Sequence, residues 1–194
     1  ALLFVEAPDN SRDASDIDAE RLAAVRAAYR AVSARITNHE IPWMACQYPT
    51  AALAQDAGLS TNAFNDLLYE AVLQDWDAIG AEMRRHADRF DAAREVRIVG
   101  EGTDLLLSLE GRTMRVDALG ANLPGGEFFG CPVETSAQGT ISFTEFPTVF
   151  GGRELTGVRL RFDDGRVVDA SADVNEAFLL ETLDSDEGAR RIGE

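Results

Sequence analysis

Lysine is absent from this chain. All 18 basic residues are arginine, set against 34 aspartates and glutamates, for a net charge of −16 and an isoelectric point near 4.4. A surface this acidic repels phosphate backbones and anionic lipid, so neither nucleic acid nor a membrane is expected as a partner. Cysteine is scarce too: Cys46 and Cys131 are the only two in 194 residues. Two thiols cannot build a disulfide scaffold, and they fit a reducing, cytoplasmic compartment. No apolar run approaches the ~20 residues that a membrane-spanning helix requires. Histidine is limited to His39 and His86, neither inside an H-E-x-x-H pattern. The G-x-S-x-G of a nucleophilic serine is missing. Gly100-Glu101-Gly102 lacks the third glycine and the following helix of a dinucleotide loop.

What is present is a globular composition. Hydrophobic residues make up 45% of the chain, enough to bury a core, and the length suits one large domain or two small ones. The acids are spread through the sequence rather than gathered in a tail, as expected of a folded surface. Two explanations of the charge stay open. A halophilic protein uses carboxylates to keep its surface hydrated where salt screens their repulsion; GC-rich coding replaces lysine by arginine without any such selection. The chain opens on an apolar run, ALLFVEAPDN, with no initiator Met and no basic leader, and closes on Asp186–Glu194 without a polar tail. Both ends read as cuts within a longer protein.

Hydrophobic spacing divides the chain. The opening run predicts a buried strand before a turn at Pro8-Asp9-Asn10. Residues Ala14 to Thr37 carry apolar side chains at helical spacing, with acids near the start that suit the helix dipole. Ile41 to Tyr48 predicts a second buried strand, with Cys46 in the core beside Trp43. Helices follow over Ala51–Ala57, stopped by Gly58, then from a Ser60 or Thr61 cap to about Leu73, and from Asp75 or Asp77 to about Ala93. From Glu95 the period changes to alternation. Strands are predicted at Arg94–Val99, Asp104–Leu109, Thr113–Val116, Gly139–Phe143, Leu155–Phe162 and Arg166–Ala170. Glu110-Gly111-Arg112 and Asp163-Asp164-Gly165-Arg166 are read as hairpin turns, and Val174 to Leu183 as a helix. The expected fold class is α/β plus α+β: an α/β piece over residues 1–93, then a β-rich piece over 94–194.

The stretch that could carry chemistry is Ala121-Asn122-Leu123-Pro124-Gly125-Gly126-Glu127-Phe128-Phe129. Asn, Pro and paired glycines force a tight loop, which delivers one carboxylate, Glu127, against two aromatics. A carboxylate set into an apolar strand entry is costly unless a cation or donor meets it. Glu127 is therefore a candidate metal ligand or general base, with a solvated loop acid as the plain alternative. The two histidines and two cysteines read as structural.

At this point the chain resembles the M29 metallopeptidases. The likeness rests on an ordered series: Glu6-Ala7-Pro8-Asp9-Asn10; Tyr48-Pro49-Thr50 with Ala54-Gln55-Asp56-Ala57-Gly58; Thr103-Asp104-Leu105; Gly111-Arg112; Asn122 to Phe129; Pro132-Val133-Glu134 with Gly139-Thr140-Ile141; Gly157, Phe162 and Asp164 to Val168; and Asp186 to Glu194. It runs through essentially the whole chain. The resemblance implies an aminopeptidase that uses two divalent ions, zinc or cobalt, to release the N-terminal residue of peptides. It makes Glu127, in the N-x-P-x-G-E loop, a metal ligand. It makes Glu194, ending the G-A-R-x-x-G-E segment, a second ligand or the base for the attacking water. It further implies a homodimer, and additional ligands downstream of Glu194. Residues 1–93 would then be the C-terminal portion of an N-terminal α/β domain, and residues 94–194 part of the catalytic domain. Such a piece would be inactive alone. The alternative is a non-catalytic structural or dimerisation module, with Phe128, Phe129, Phe143, Phe146 and Phe150 at a contact surface.

Overall fold

A computed structural model describes residues 1–194 except His39, Gly151 and Glu194; for Ala19, Glu20, Ala23 and Arg26 it describes the backbone alone. The architecture is mixed α/β with open sheets, in the expected class. The chain forms two compact units, Ala1–Met83 with Val116–Glu127, and Arg84–Arg115 with Phe128–Glu194.

The first unit holds a three-stranded parallel sheet. Strand β1 (Leu2–Glu6) is followed by helix α1 (Ala19–Thr37) and strand β2 (Trp43–Gln47). Strands β1 and β2 pair in parallel, Leu2 opposite Trp43 and Glu6 opposite Gln47. A parallel pair needs a crossover, and α1 supplies it. Helix α1 starts five residues later than its apolar spacing predicts. Asn10 explains this: its side chain accepts from Arg12 N (2.9 Å) and donates to Asp13 (2.7 Å), local bonds that hold the backbone in turns. Strand β1 also differs from expectation, because it is exposed rather than buried, Leu3 by 65%. It lies at the sheet edge, with one neighbouring strand only. Trp43 to Cys46 in β2 are half-buried, short of the core placement expected for Cys46.

Helix starts follow the polar residues before them. Thr50 Oγ1 accepts from Leu53 N (3.3 Å) to open α2 (Ala51–Asp56). Ser60 Oγ accepts from Ala63 N (3.2 Å) to open α3 (Thr61–Val72), and Asp75 accepts from Ala78 N (3.1 Å) at α4 (Trp76–Asp91). Each satisfies a backbone donor that the first helical turn leaves over.

The second unit is built on a five-stranded antiparallel sheet. Strands β3 (Glu95–Gly100) and β4 (Thr103–Ser108) form a hairpin over Glu101-Gly102. After the short strands β5 (Arg115–Asp117), β6 (Asn122–Leu123) and β7 (Glu127–Phe129), strand β8 (Gln138–Phe143) pairs with β4. A ribbon of β9 (Thr148–Phe150) and β10 (Arg153–Leu155) follows, and β11 (Val158–Asp163) and β12 (Arg166–Ser171) complete the order β12-β11-β8-β4-β3. Helix α5 (Glu176–Leu183) covers one face. Its Leu179 and Leu183 join Leu105, Ala137, Leu155, Val158, Phe162 and Val167 in one core.

Two sequence readings change here. The run Leu155–Phe162 is two strands, because the chain leaves the β9–β10 ribbon at Thr156-Gly157 and enters the large sheet at Val158. Glu110-Gly111-Arg112 is a turn, Arg112 N donating to Leu109 O (2.9 Å), but not a hairpin. Its preceding strand β4 is already paired on both sides, with β3 and β8. The hairpin at Asp163–Arg166 forms as read, with Asp164 and Gly165 both at positive φ, as a two-residue turn demands.

Gly139 has no room for a side chain within strand β8 of the large sheet. It sits opposite Leu105 at φ +113, and a Cβ there would collide with the Asp104 carbonyl oxygen. Gly111 shares the positive φ (+73) but faces open space. Gly139→Ala is expected to cost about 3 kcal/mol, from strain plus collision, and Gly111→Ala about 1 kcal/mol, from strain alone. Urea unfolding followed by far-ultraviolet circular dichroism checks the difference; equal costs would contradict the collision.

Across the exposed β3–β4 hairpin, Arg97 Nε and Nη2 both donate to Asp104, each at 2.7 Å. These bonds, with the attraction of the guanidinium, hold the Asp104 carboxyl below its ordinary value. The depressed folded value means that this pairing is in place above the unfolded pKa, near 3.9, and is lost as pH falls through the lower folded one. Arg97→Ala should raise the Asp104 midpoint in a carboxyl NMR titration, and molar salt should shrink the effect. An unchanged midpoint would contradict it.

Candidate functional site

The loop singled out in the sequence is organised by a residue that sequence reasoning passed over. Asp117 is the one buried charged residue among those described, 6% exposed. A carboxylate out of water needs donors, and Asp117 has three. Oδ1 accepts from Gly120 N (2.7 Å) and Ala121 N (3.1 Å), and Oδ2 accepts from Asn122 Nδ2 (2.9 Å). Its backbone carbonyl accepts from Gly126 N at 2.8 Å. One residue therefore ties down both the start and the end of the loop. The available signal was an Asp closing an alternating segment five residues before the Asn of the loop.

The loop is also stitched to the parallel sheet. Strand β6 pairs with β2, Ala45 opposite Asn122 and Cys46 opposite Leu123, and Ala45 N donates to Ala121 O at 2.7 Å. The peptide between Leu123 and Pro124 is cis. A Cβ on Gly125 would lie 2.5 Å from Ala118 O and 2.8 Å from Asp117 O, so only glycine lets the chain pass so close. Gly126, at φ +112, turns the chain past the Trp76 ring and into Glu127.

Glu127 is exposed at the end of this loop. The premise that it is a carboxylate forced into an apolar entry does not hold, because Phe128 and Phe129 are half-buried while Glu127 faces solvent. Phe128 stacks edge-on against Phe90 at 5.3 Å between ring centres. Among the described residues none donates to or pairs with the Glu127 carboxylate. An unpaired carboxylate on a fixed backbone is the donor type that a divalent cation takes, so Glu127 fits as one ligand of a set. No group of three or more His, Cys, Asp or Glu that could hold a metal occurs among the described residues.

Glu194 lies outside the described residues, as does His39. The segment leading to Glu194 belongs to the second unit and is held by its own arginine. Arg190 Nε donates to Asp184 (2.7 Å) and Nη1 to Val167 O (3.2 Å), while Val167 N donates to Arg190 O and Ile192 N to Gly165 O. The hydrogen bond from Arg190 holds the Asp184 carboxyl below its ordinary value. Asp186 Oδ1 accepts from Gly188 N and Ala189 N, which forms the turn of the Gly188-Ala189 step. The G-A-R part of the motif is thus a backbone brace along β12. His86 is on an exposed position of α4, and Cys131 is exposed in the loop after β7.

Comparison with known proteins agrees with this motif order. The family model described as thermophilic metalloprotease (M29) matches residues 1–194. Aminopeptidase T of Thermus thermophilus is 30% identical over 193 residues, covering 88% of this chain and 47% of its own length. Aminopeptidase 2 of Geobacillus stearothermophilus is 30% identical over 222 residues, covering 100% of this chain and 53% of its own. The solved structure of wild-type AmpT from Thermus thermophilus superposes with a TM-score of 0.79 at 25% identity, over 98% of this chain and 53% of that one. The chain spans about half the length of these relatives. With its motifs in order and its fold matched from end to end, the chain belongs to the M29 family of thermophilic metalloproteases.

Proposed function

We propose that this chain is part of a metal-dependent aminopeptidase that releases N-terminal residues from peptides, and that Glu127 supplies one of its metal-ligating carboxylates. The observation that carries the reading is the loop 117–127: a tightly closed backbone that ends in an exposed carboxylate with no partner among the described residues. The relatives' names, aminopeptidase T and aminopeptidase 2, supply the reaction class. Zinc or cobalt, two ions in the resemblance, would provide a water of lowered pKa and a Lewis acid for the scissile carbonyl. Glu127 would hold and partly neutralise a cation from the loop side. Glu194 is proposed as the second carboxylate, ligand or base, at the end of the Arg190-braced segment. Because the chain spans half of its relatives, the 194 residues alone are proposed to bind metal weakly and to lack activity. A cytoplasmic location and adaptation to salt remain part of this reading, on the composition alone; no described helix is long and apolar enough to cross a membrane.

A second reading has one observation in its favour. Phe143, Phe146 and Phe150 are exposed around an apolar hollow in the second unit, Phe146 by 79%, which suits a contact surface of a homodimer or a non-catalytic module.

Hydrolysis of leucine anilide in molar KCl, with and without chelator, separates the two. For the product of the complete reading frame, chelator-sensitive release is expected, reduced at least about 100-fold by Glu127→Ala. Absence of release with zinc or cobalt would favour the non-catalytic reading. Release unaffected by Glu127→Ala would remove Glu127 from the ligand set.

A further inference from the structure

We infer that Asp117 is a positioning residue for Glu127, acting through the closed loop between them; this rests on the reading of Glu127 as a metal ligand. An Asp that only capped a turn would finish its work at Gly120 and Ala121. Asp117 does more. Its second oxygen takes the side chain of Asn122, whose backbone is paired with β2, so the carboxylate is anchored to the parallel sheet. Its carbonyl takes Gly126 N, the residue before Glu127. Between these bonds Gly125 lies against the Asp117 and Ala118 carbonyls with no room for a Cβ. The loop is a ring closed at Asp117, and Glu127 is the first residue outside it.

The carboxylate matches what faces it. All three groups facing Asp117 are donors, and a carboxylate only accepts. Asparagine at 117 keeps one oxygen for the two backbone amides, and its NH2 can donate to Asn122 Oδ1 once that amide turns over. Exchanging the two residues, Asp117→Asn with Asn122→Asp, likewise keeps an N–H···O bond between them with its direction reversed. Alanine at 117 removes every one of these bonds. Loss in Asp117→Ala with retention in Asp117→Asn and in the exchange is the signature of the bonds themselves, since all three variants remove the charge from position 117.

The test uses the product of the complete reading frame with Mn2+ as a paramagnetic probe, read by NMR, with amide hydrogen exchange as a check on the loop. Broadening centred on Gly126, Glu127 and Phe128 is expected on adding Mn2+, and Glu127→Gln should abolish it. Asp117→Ala should weaken the apparent Mn2+ affinity at these amides about 10-fold, leave the spectra of β3, β4 and β8 unchanged, and speed exchange at Gly126. Asp117→Asn and the exchanged pair should keep both readouts near wild-type values. If Asp117→Ala loosens Gly126 but Mn2+ broadens Glu127 at wild-type concentrations, Asp117 is merely structural and the inference fails while Glu127 stands. If wild-type shows no broadening at Glu127, or Glu127→Gln leaves it intact, the reading of Glu127 fails and takes the inference with it. Loss in Asp117→Asn and in the exchanged pair as large as in Asp117→Ala, in a folded protein, also overturns the inference.

Discussion

The buried carboxylate of Asp117 is the constraint on which the candidate site depends. Taking an ionised group out of water costs several kcal/mol unless donors replace the lost hydration. Here the replacement consists of two backbone amides and one side-chain amide, all from the next five residues. The chain can satisfy that demand only by curling tightly between 117 and 122. Once it has, the pairing of β6 with β2 and the hydrogen bond from Gly126 N to Asp117 O fix where the loop must end. The glycines follow from this geometry, because Gly125 passes too close to two carbonyls for any side chain. Glu127, the first residue after this closed segment, is exposed.

Much of this was legible from residue order. Helix starts at Thr50, Ser60 and Asp75 were readable because capping is a local bargain between one side chain and one turn. The Asp164-Gly165 hairpin was readable because positive φ at both positions has few sequence solutions. Glu127 stood out by its company of Asn, Pro and glycines. What escaped notice depends on contacts distant in sequence. Asp117 looks like any strand-end acid until Asn122 and Gly126 close on it. The return of residues 116–127 to the first unit rests on a two-residue strand, too short to leave a periodic pattern. The exposure of β1 could not be read either, since an apolar run does not reveal how many neighbours its strand will have.

The two motifs use opposite electrostatic devices. In the first unit an acid is buried and neutralised by dipoles, without a cation. In the second, Arg190 bridges Asp184 and the Val167 carbonyl, and so lays the segment before Glu194 along β12. Neither acid that sets the backbone, Asp117 or Asp184, is the acid proposed to meet a metal. Dividing the work in this way leaves Glu127 without a competing partner among the described residues, the state in which a carboxylate binds a dication most readily. Membership of the M29 family gives that arrangement its chemical context.

If the Asp117-closed loop presents Glu127 as a metal ligand, anomalous diffraction at the zinc edge, from crystals of the complete gene product grown with zinc, will show it. An anomalous peak is expected about 2.0–2.2 Å from a Glu127 carboxylate oxygen, with the Asp117 hydrogen bonds to Gly120, Ala121 and Asn122 intact. A fully occupied zinc site elsewhere, with Glu127 in solvent, would contradict it.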